Sequence, residues 1–172
     1  MTAALVAALE GLNVLLCEKS SQVGGTTATS AGTIWVPQTR QARDASFTDT
    51  IAETQRYLDS IIGPAADDRR DIYLTTGKDV VEYLDRRSEV KFSIYRKHPD
   101  YLANRPGATL AGRALAPLPF DGRLLGTDFD LLRPPIGEFM ALGGMMIGRD
   151  DIEPLARPLA SATNFRRALS LI

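Results

Sequence analysis

Apolar positions change their period along the chain, and the period assigns the elements. Residues Thr2 to Glu10 are rich in Ala and Leu, both strong helix formers, and Gly11 stands at a natural C-terminal stop. Asn13-Val14-Leu15-Leu16-Cys17 follows as a short continuous apolar run, closed by the charged pair Glu18-Lys19. Such a run reads as a strand buried on both faces of a parallel sheet. Helix, glycine and buried strand together make the second half of a βαβ unit. From Ser20 to Pro37 the chain is a loop rich in Gly, Ser and Thr. From Thr48 the pattern turns helical, with Ile51, Leu58, Ile61 and Ile62 on one face and Gly63-Pro64 as its end. A second helical region runs from about Asp67 to Arg87 and carries Ile72, Val80, Val81 and Leu84. Gly77 is expected to break or bend it, because Thr76 and Asp79 have the spacing of a fresh capping box. Val90 to Tyr95 alternates with period two, the mark of a strand with one buried face. His98 to Arg149 holds most of the prolines and predicts loops with short strands. After Pro158, Leu159, Ala162, Phe165 and Leu169 have helical spacing.

Composition narrows the class. Of 172 residues, 44% are hydrophobic and 24% charged, which excludes disordered and fibrous chains. The 20 basic and 21 acidic residues are well mixed, so no basic footprint for a nucleic acid exists. Cys17 is the single cysteine, which excludes an internal disulfide and any site needing several thiolates; no metal site is expected. Its surroundings predict a small core hydrophobe in a strand. One cysteine and one histidine fit a reducing cytoplasm. Thr2 to Cys17 lacks the basic start of a signal peptide, and no apolar run is long enough to span a bilayer. A soluble, cytoplasmic protein is expected.

The chemistry concentrates after the predicted strand, in Glu18 and then Val23-Gly24-Gly25-Thr26-Thr27. In a dinucleotide fold an acidic residue at the end of the second strand accepts hydrogen bonds from ribose hydroxyls. A carboxylate suits this because it only accepts and can take both hydroxyls at once. Gly24 and Gly25 let the backbone approach a bulky ligand where a Cβ would clash. Thr26 and Thr27 add hydroxyl and amide donors. Alone, Glu18 would be an ordinary surface salt-bridge residue; the flanking pattern argues otherwise.

With Met1-Thr2-Ala3-Ala4 through Glu18-Lys19-Ser20, and Gly24-Gly25-Thr26-Thr27-Ala28-Thr29-Ser30-Ala31-Gly32-Thr33-Ile34-Trp35-Val36-Pro37, the chain resembles the FAD-binding start of the fumarate reductase and 3-ketosteroid Δ1-dehydrogenase superfamily. Trp35-Val36-Pro37 leans to the ketosteroid branch. The resemblance implies a partial Rossmann-like FAD-binding domain over residues 1–47, in an α/β fold whose first strand is missing. Residues 48–172 would then form a helical and loop-rich α+β segment with part of the substrate region. It places the ribose contact on Glu18 and the other flavin contacts on Lys19, Ser20, Gly24, Gly25, Thr26, Thr27, Ser30 and Gly32. Family members carry a strand and a G-x-G-x-x-G loop ahead of the position of Met1. The expectation is therefore a fragment incomplete at both ends, which alone would have little activity.

A second resemblance runs through Pro99-Asp100-Tyr101, Arg105-Pro106-Gly107, Ala111-Gly112-Arg113 and Pro117 to Arg123 with Leu125-Gly126, then Leu132 to Pro135 and Gly143-Gly144-Met145-Met146. These are similar to the segment lining the substrate cavity of ketosteroid dehydrogenases. It implies that Tyr101 is an active-site tyrosine, hydrogen-bonded to another tyrosine that takes a proton from the carbon beside the ketone. A phenol ionises near pH 10, so such a base needs a partner that stabilises its anion. Taken by itself, Tyr101 would be a half-buried loop tyrosine. The implied activity is FAD-dependent oxidation of a ketosteroid or similar cyclic ketone, with a fumarate reductase-type flavoprotein as the alternative. His98 reads as a solvated loop residue, and Asp67-Asp68 and Asp150-Asp151 as charges favouring helix N-termini.

Overall fold

The computed structural model describes residues 1–64, 67–141 and 145–171. They group into two compact units, one made of Met1–Cys17 and Gly32–Leu124, the other of Glu18–Ala31 and the described part of Leu125–Ile172.

The first unit holds four helices and a three-stranded sheet. Helix α1 (Thr2–Leu9) ends before Gly11, which adopts φ +80° as a left-handed stop. Thr39 caps α2 (Arg40–Asp44), and Thr50 caps α3 (Ile51–Ile62) by accepting the Glu53 amide at 3.1 Å. Gly63 then ends α3 with φ +76°. Asp68 stands at the N-cap of α4 (Arg69–Arg87), where its charge suits the helix dipole. Strands β1 (Ile34–Trp35), β2 (Phe92–Ile94) and β3 (Ala114–Pro117) form an antiparallel sheet in the order β1-β3-β2, with Ile34 opposite Leu115 and Ile94 also opposite Leu115. The core is built on this sheet: Val36, Val81 and fully buried Leu115, with Ile34, Phe92 and Ile94 packed against them. Each buried aliphatic side chain contributes roughly 1.5–3 kcal/mol.

Two expectations need correction here. Gly77 does not break α4, and no second capping box forms: the Thr76 hydroxyl donates back to the Ile72 carbonyl at 2.7 Å. Gly77 is there because Val36 passes close by; a Cβ would lie 3.3 Å from Val36 Cγ1. Asn13–Cys17 is not a buried strand. It pairs with nothing among the described residues, and Leu12, Leu15 and Leu16 are well exposed, Leu15 to 88%. Cys17 is likewise exposed and free rather than in the core. The apolar run reads as buried because burial is the ordinary fate of such residues, but burial needs neighbouring strands or helices against its two faces.

In the second unit Val23 makes a parallel bridge to Leu132: its amide donates to Leu131 O at 2.7 Å, and the Arg133 amide donates to Val23 O at 2.9 Å. Strands β4 (Met140–Ala141) and β5 (Met145–Met146) pair antiparallel. Helices α5 (Arg149–Ala156) and α6 (Ala162–Ser170) pack on each other. Asp150 and Asp151 lie in the first turn of α5 as expected, and buried Asp151 accepts from the Gly148 amide at 3.0 Å and from Arg167 Nε at 2.8 Å. The helix after Pro158 forms, yet Leu159, Phe165 and Leu169 are exposed and Ala168 is the buried residue. Gly143 and Gly144 lie outside the described residues. No helix among the described residues is long and apolar enough to cross a membrane.

Candidate functional site

The loop from Glu18 to Ser30 is held by bonds within itself and by the bridge of Val23 to Leu131 and Arg133. Glu18 Oε1 accepts the Ser20 amide at 3.0 Å, the Ser20 hydroxyl accepts the Gln22 amide at 3.3 Å, and the Ala28 amide reaches Gly24 O at 3.2 Å. Thr29 and Ser30 each turn a hydroxyl onto the carbonyl three residues back, at 3.1 and 3.0 Å. Gly24 and Gly25 take φ +114° and +51° in succession, a shape that residues with a Cβ adopt only under strain. A Cβ on Gly24 would stand 2.8 Å from that of Ala28, whereas one on Gly25 would meet nothing within 4 Å. Gly24 therefore closes the turn, and Gly25 leaves an open approach. The amides of Thr26 and Thr27 donate to no acceptor among the described residues, and Glu18 Oε2 takes no donor there. Unused amides and an unused carboxylate oxygen are the groups needed by a ligand that offers both an anion and hydroxyl donors. These residues fit the dinucleotide expected from the sequence.

The predicted contacts are divided between the units. Glu18, Lys19, Ser20, Gly24, Gly25, Thr26, Thr27 and Ser30 share the second unit; Gly32 and Tyr101 belong to the first. Gly32 has a structural reason of its own, since with φ +68° its Cβ would lie 2.9 Å from Pro117 Cγ at the end of β3.

Tyr101 is 95% exposed, neither half-buried nor packed. Its immediate neighbour is the opposite: Asp100 is 5% exposed and belongs to a buried ionic cluster. At the centre of that cluster Arg113, 1% exposed, grips Asp49 with Nε and Nη2, both at 2.7 Å, and Asp100 with Nη1 at 2.9 Å. Trp35 Nε1 donates to Asp100 Oδ1 at 2.7 Å, and the Thr109 amide donates to Oδ2 at 2.9 Å. The Thr50 amide and the Thr54 hydroxyl donate to Asp49 at 2.9 and 3.2 Å. The Arg113 guanidinium also lies 5.7 Å from the ring centres of both Trp35 and Tyr57. Burial works against the Arg113 charge, but the hydrogen bonds and charges of Asp49 and Asp100 outweigh it and raise the pKa above the ordinary arginine value. Two carboxylates on one guanidinium leave an excess negative charge, and the four neutral donors stabilise it.

This cluster was not legible beforehand. Asp49, Thr54 and Tyr57 carry no motif, and Asp100, Arg113 and Trp35 entered only through a resemblance. The one available signal was Arg113, a charge set directly against the apolar Ala114-Leu115-Ala116 of β3. Two open hollows flank the same loop, one of about 560 Å³ lined by Phe47, Arg96, Lys97, Pro99, Leu110 and Ala111. The other, of about 530 Å³, includes Asp49, Gly107 and Thr109. Tyr101 lines neither. His98 is partly buried, its ring 5.1 Å from that of Tyr95. The described residues contain no cluster of potential metal ligands.

Residues 1–156 match the family described as FAD binding domain. The 3-oxosteroid 1-dehydrogenase of Mycolicibacterium smegmatis is 35% identical over 139 residues, 80% of this chain and 24% of that protein. The 4-oxocyclohex-2-ene-1-carboxylate 5-dehydrogenase of Sinomonas cyclohexanicum is 38% identical over 152 residues, 87% of this chain and 25% of that protein. Among solved structures, the 3-ketosteroid Δ1-dehydrogenase of Sterolibacterium denitrificans, in complex with 1,4-androstadiene-3,17-dione, superposes with a TM-score of 0.83 at 29% identity. That match covers 98% of this chain and 30% of the other. The chain spans about a quarter of the length of the curated relatives it matches.

Proposed function

The chain belongs to the FAD binding domain family, and on that footing we propose that it serves a flavoprotein dehydrogenase acting on a ring ketone of the 3-ketosteroid class. The observation that carries this reading is the Glu18–Ser30 loop, with its two successive left-handed glycines, free Thr26 and Thr27 amides and half-used Glu18 carboxylate. FAD, when bound, supplies a two-electron acceptor for hydrogen leaving the substrate carbon. The chain contributes the binding. Glu18 accepts from the ribose hydroxyls, and Lys19 and Ser20 border it. Gly24, Gly25, Thr26 and Thr27 bring backbone amides to the cofactor, and Ser30 and Gly32 are further flavin contacts in this reading. Residues 1–47 form the flavin-facing part and 48–172 reach towards the substrate. There Tyr101 offers its hydroxyl to the group that takes the proton beside the ketone, the step at which a positioned hydrogen-bond partner matters most.

One observation favours a narrower variant: the relative named for a 4-oxocyclohexene carboxylate is slightly more similar than the steroid enzyme, 38% against 35%. The substrate would then be a single-ring ketone bearing a carboxylate. The test is reduction of an electron-accepting dye by a flavin-loaded protein of its relatives' length that carries this chain, with three candidates: a 3-ketosteroid, 4-oxocyclohexanecarboxylate and succinate. Turnover of the steroid is expected, with the visible absorption of bound flavin. Turnover of the cyclohexanone acid alone would select the narrower variant. Turnover of succinate alone, or a protein that holds no flavin, would overturn the proposal.

A further inference from the structure

Tyr101 and Asp100 are adjacent in the chain and at opposite extremes of exposure, 95% and 5%. A tyrosine that merely filled space would turn its ring inward, since burying an aromatic is favourable. Here the ring faces solvent while the backbone on both sides is tied down. On the N-terminal side the Asp100 amide donates to Thr109 O at 2.9 Å, and both carboxylate oxygens are engaged, by Trp35 on one and by Thr109 and Arg113 on the other. On the C-terminal side the Leu102 amide donates to the Tyr57 hydroxyl at 3.3 Å, and the Arg105 amide returns to Leu102 O at 3.0 Å. Tyr57 is itself buried in α3, under the Arg113 guanidinium. Gly107 seats the far end of the loop flush against α3, where a Cβ would fall 2.2 Å from Glu53 O.

We propose that Asp100 and Tyr57 are positioning residues: through the buried Arg113 cluster they fix the backbone on either side of Tyr101, and so set the direction in which its phenol is presented. The inference rests on the role given to Tyr101 above. Neither residue touches the substrate. Their work is to fix the backbone from which a solvent-facing hydroxyl is presented before a substrate arrives, since a rigid support helps preserve catalytic geometry.

The test compares Tyr57→Phe, the mild variant, and Asp100→Asn in the flavin-loaded protein, alone and combined with Tyr101→Phe. Misplacing a catalytic partner lowers kcat, so each single variant is expected to lose roughly tenfold in kcat, while KM stays within about twofold. The flavin absorption should not change. Amide hydrogen exchange at residues 100–105 should accelerate in both variants, a reading independent of turnover. In the Tyr101→Phe background neither substitution should lower kcat further, because the hydroxyl they aim is already gone. Fully additive losses, or unchanged exchange in the loop, would overturn the positioning role alone. Full activity in Tyr101→Phe would overturn the reading of Tyr101 itself, and this inference with it.

Discussion

The loop from Glu18 to Ser30 and the loop from Asp100 to Arg113 each carry two glycines, and they are held in different ways. In the first, the side-chain hydrogen bonds reach two or three residues along the chain. In the second, Arg113 reaches 64 residues back to Asp49 and 13 back to Asp100, and Trp35 reaches 65 forward to Asp100. A loop whose side chains are satisfied locally depends on distant residues only through the Val23 bridge, and its Thr26 and Thr27 amides meet no acceptor among the described residues. A loop tied by buried ions is as stable as the core around it, and holds in place the backbone that carries an exposed side chain. The first is suited to wrapping a cofactor and the second to presenting a hydroxyl.

The largest expected effect tests that division. Arg113→Ala would strand two buried carboxylates, at a cost of about 3–5 kcal/mol, seen as a sharp fall in the urea or thermal midpoint. Amide exchange in the 18–30 loop should hardly respond. If that loop loosened in step with the cluster, the two would not be independent.

Next come the twin glycines. Gly24→Ala forces a Cβ to 2.8 Å from Ala28 in a left-handed backbone, a local strain of about 1–3 kcal/mol. Gly25→Ala meets open space and costs about 1 kcal/mol for its left-handed backbone alone. Both should release flavin in a retention assay, and Gly25→Ala should do so with the smaller loss of stability. Retention of flavin by Gly25→Ala would show that the open side of the turn faces no cofactor.

The smallest effect is a pH dependence confined to the unit with the ionic cluster. The Tyr73 hydroxyl donates to the Trp35 carbonyl, and burial raises its pKa above the ordinary phenol value. The folded state therefore holds this proton more tightly than the unfolded chain. The stabilisation is fully present below about pH 10 and is lost as the pH rises beyond it through the folded value. Melting temperatures followed from pH 8 upward should fall less steeply in Tyr73→Phe than in the parent protein.

What was legible in advance was local. The helix limits at Gly11 and Gly63 follow from glycine's access to positive φ, a property carried by single residues. The alternating Val90–Tyr95 segment holds β2 because period two is a property of the strand itself. The glycine pair after Glu18 is expressive for the same reason: its conformation is decided within six residues.

Gly77 was misread because the local pattern of a helix break ignores a valine arriving from 41 positions earlier, whose methyl would crowd a Cβ at 3.3 Å. Asn13–Cys17 was misread because hydrophobicity states only that a segment would gain from burial, and a partner must be present for the gain to be realised. The amino-acid sequence by itself thus determined helices α1, α3, α4 and α6 and the turn at the twin glycines. Only the tertiary structure decided that Asp49, Asp100 and Arg113 meet, because buried charges find their partners through space and no spacing along the chain records the encounter.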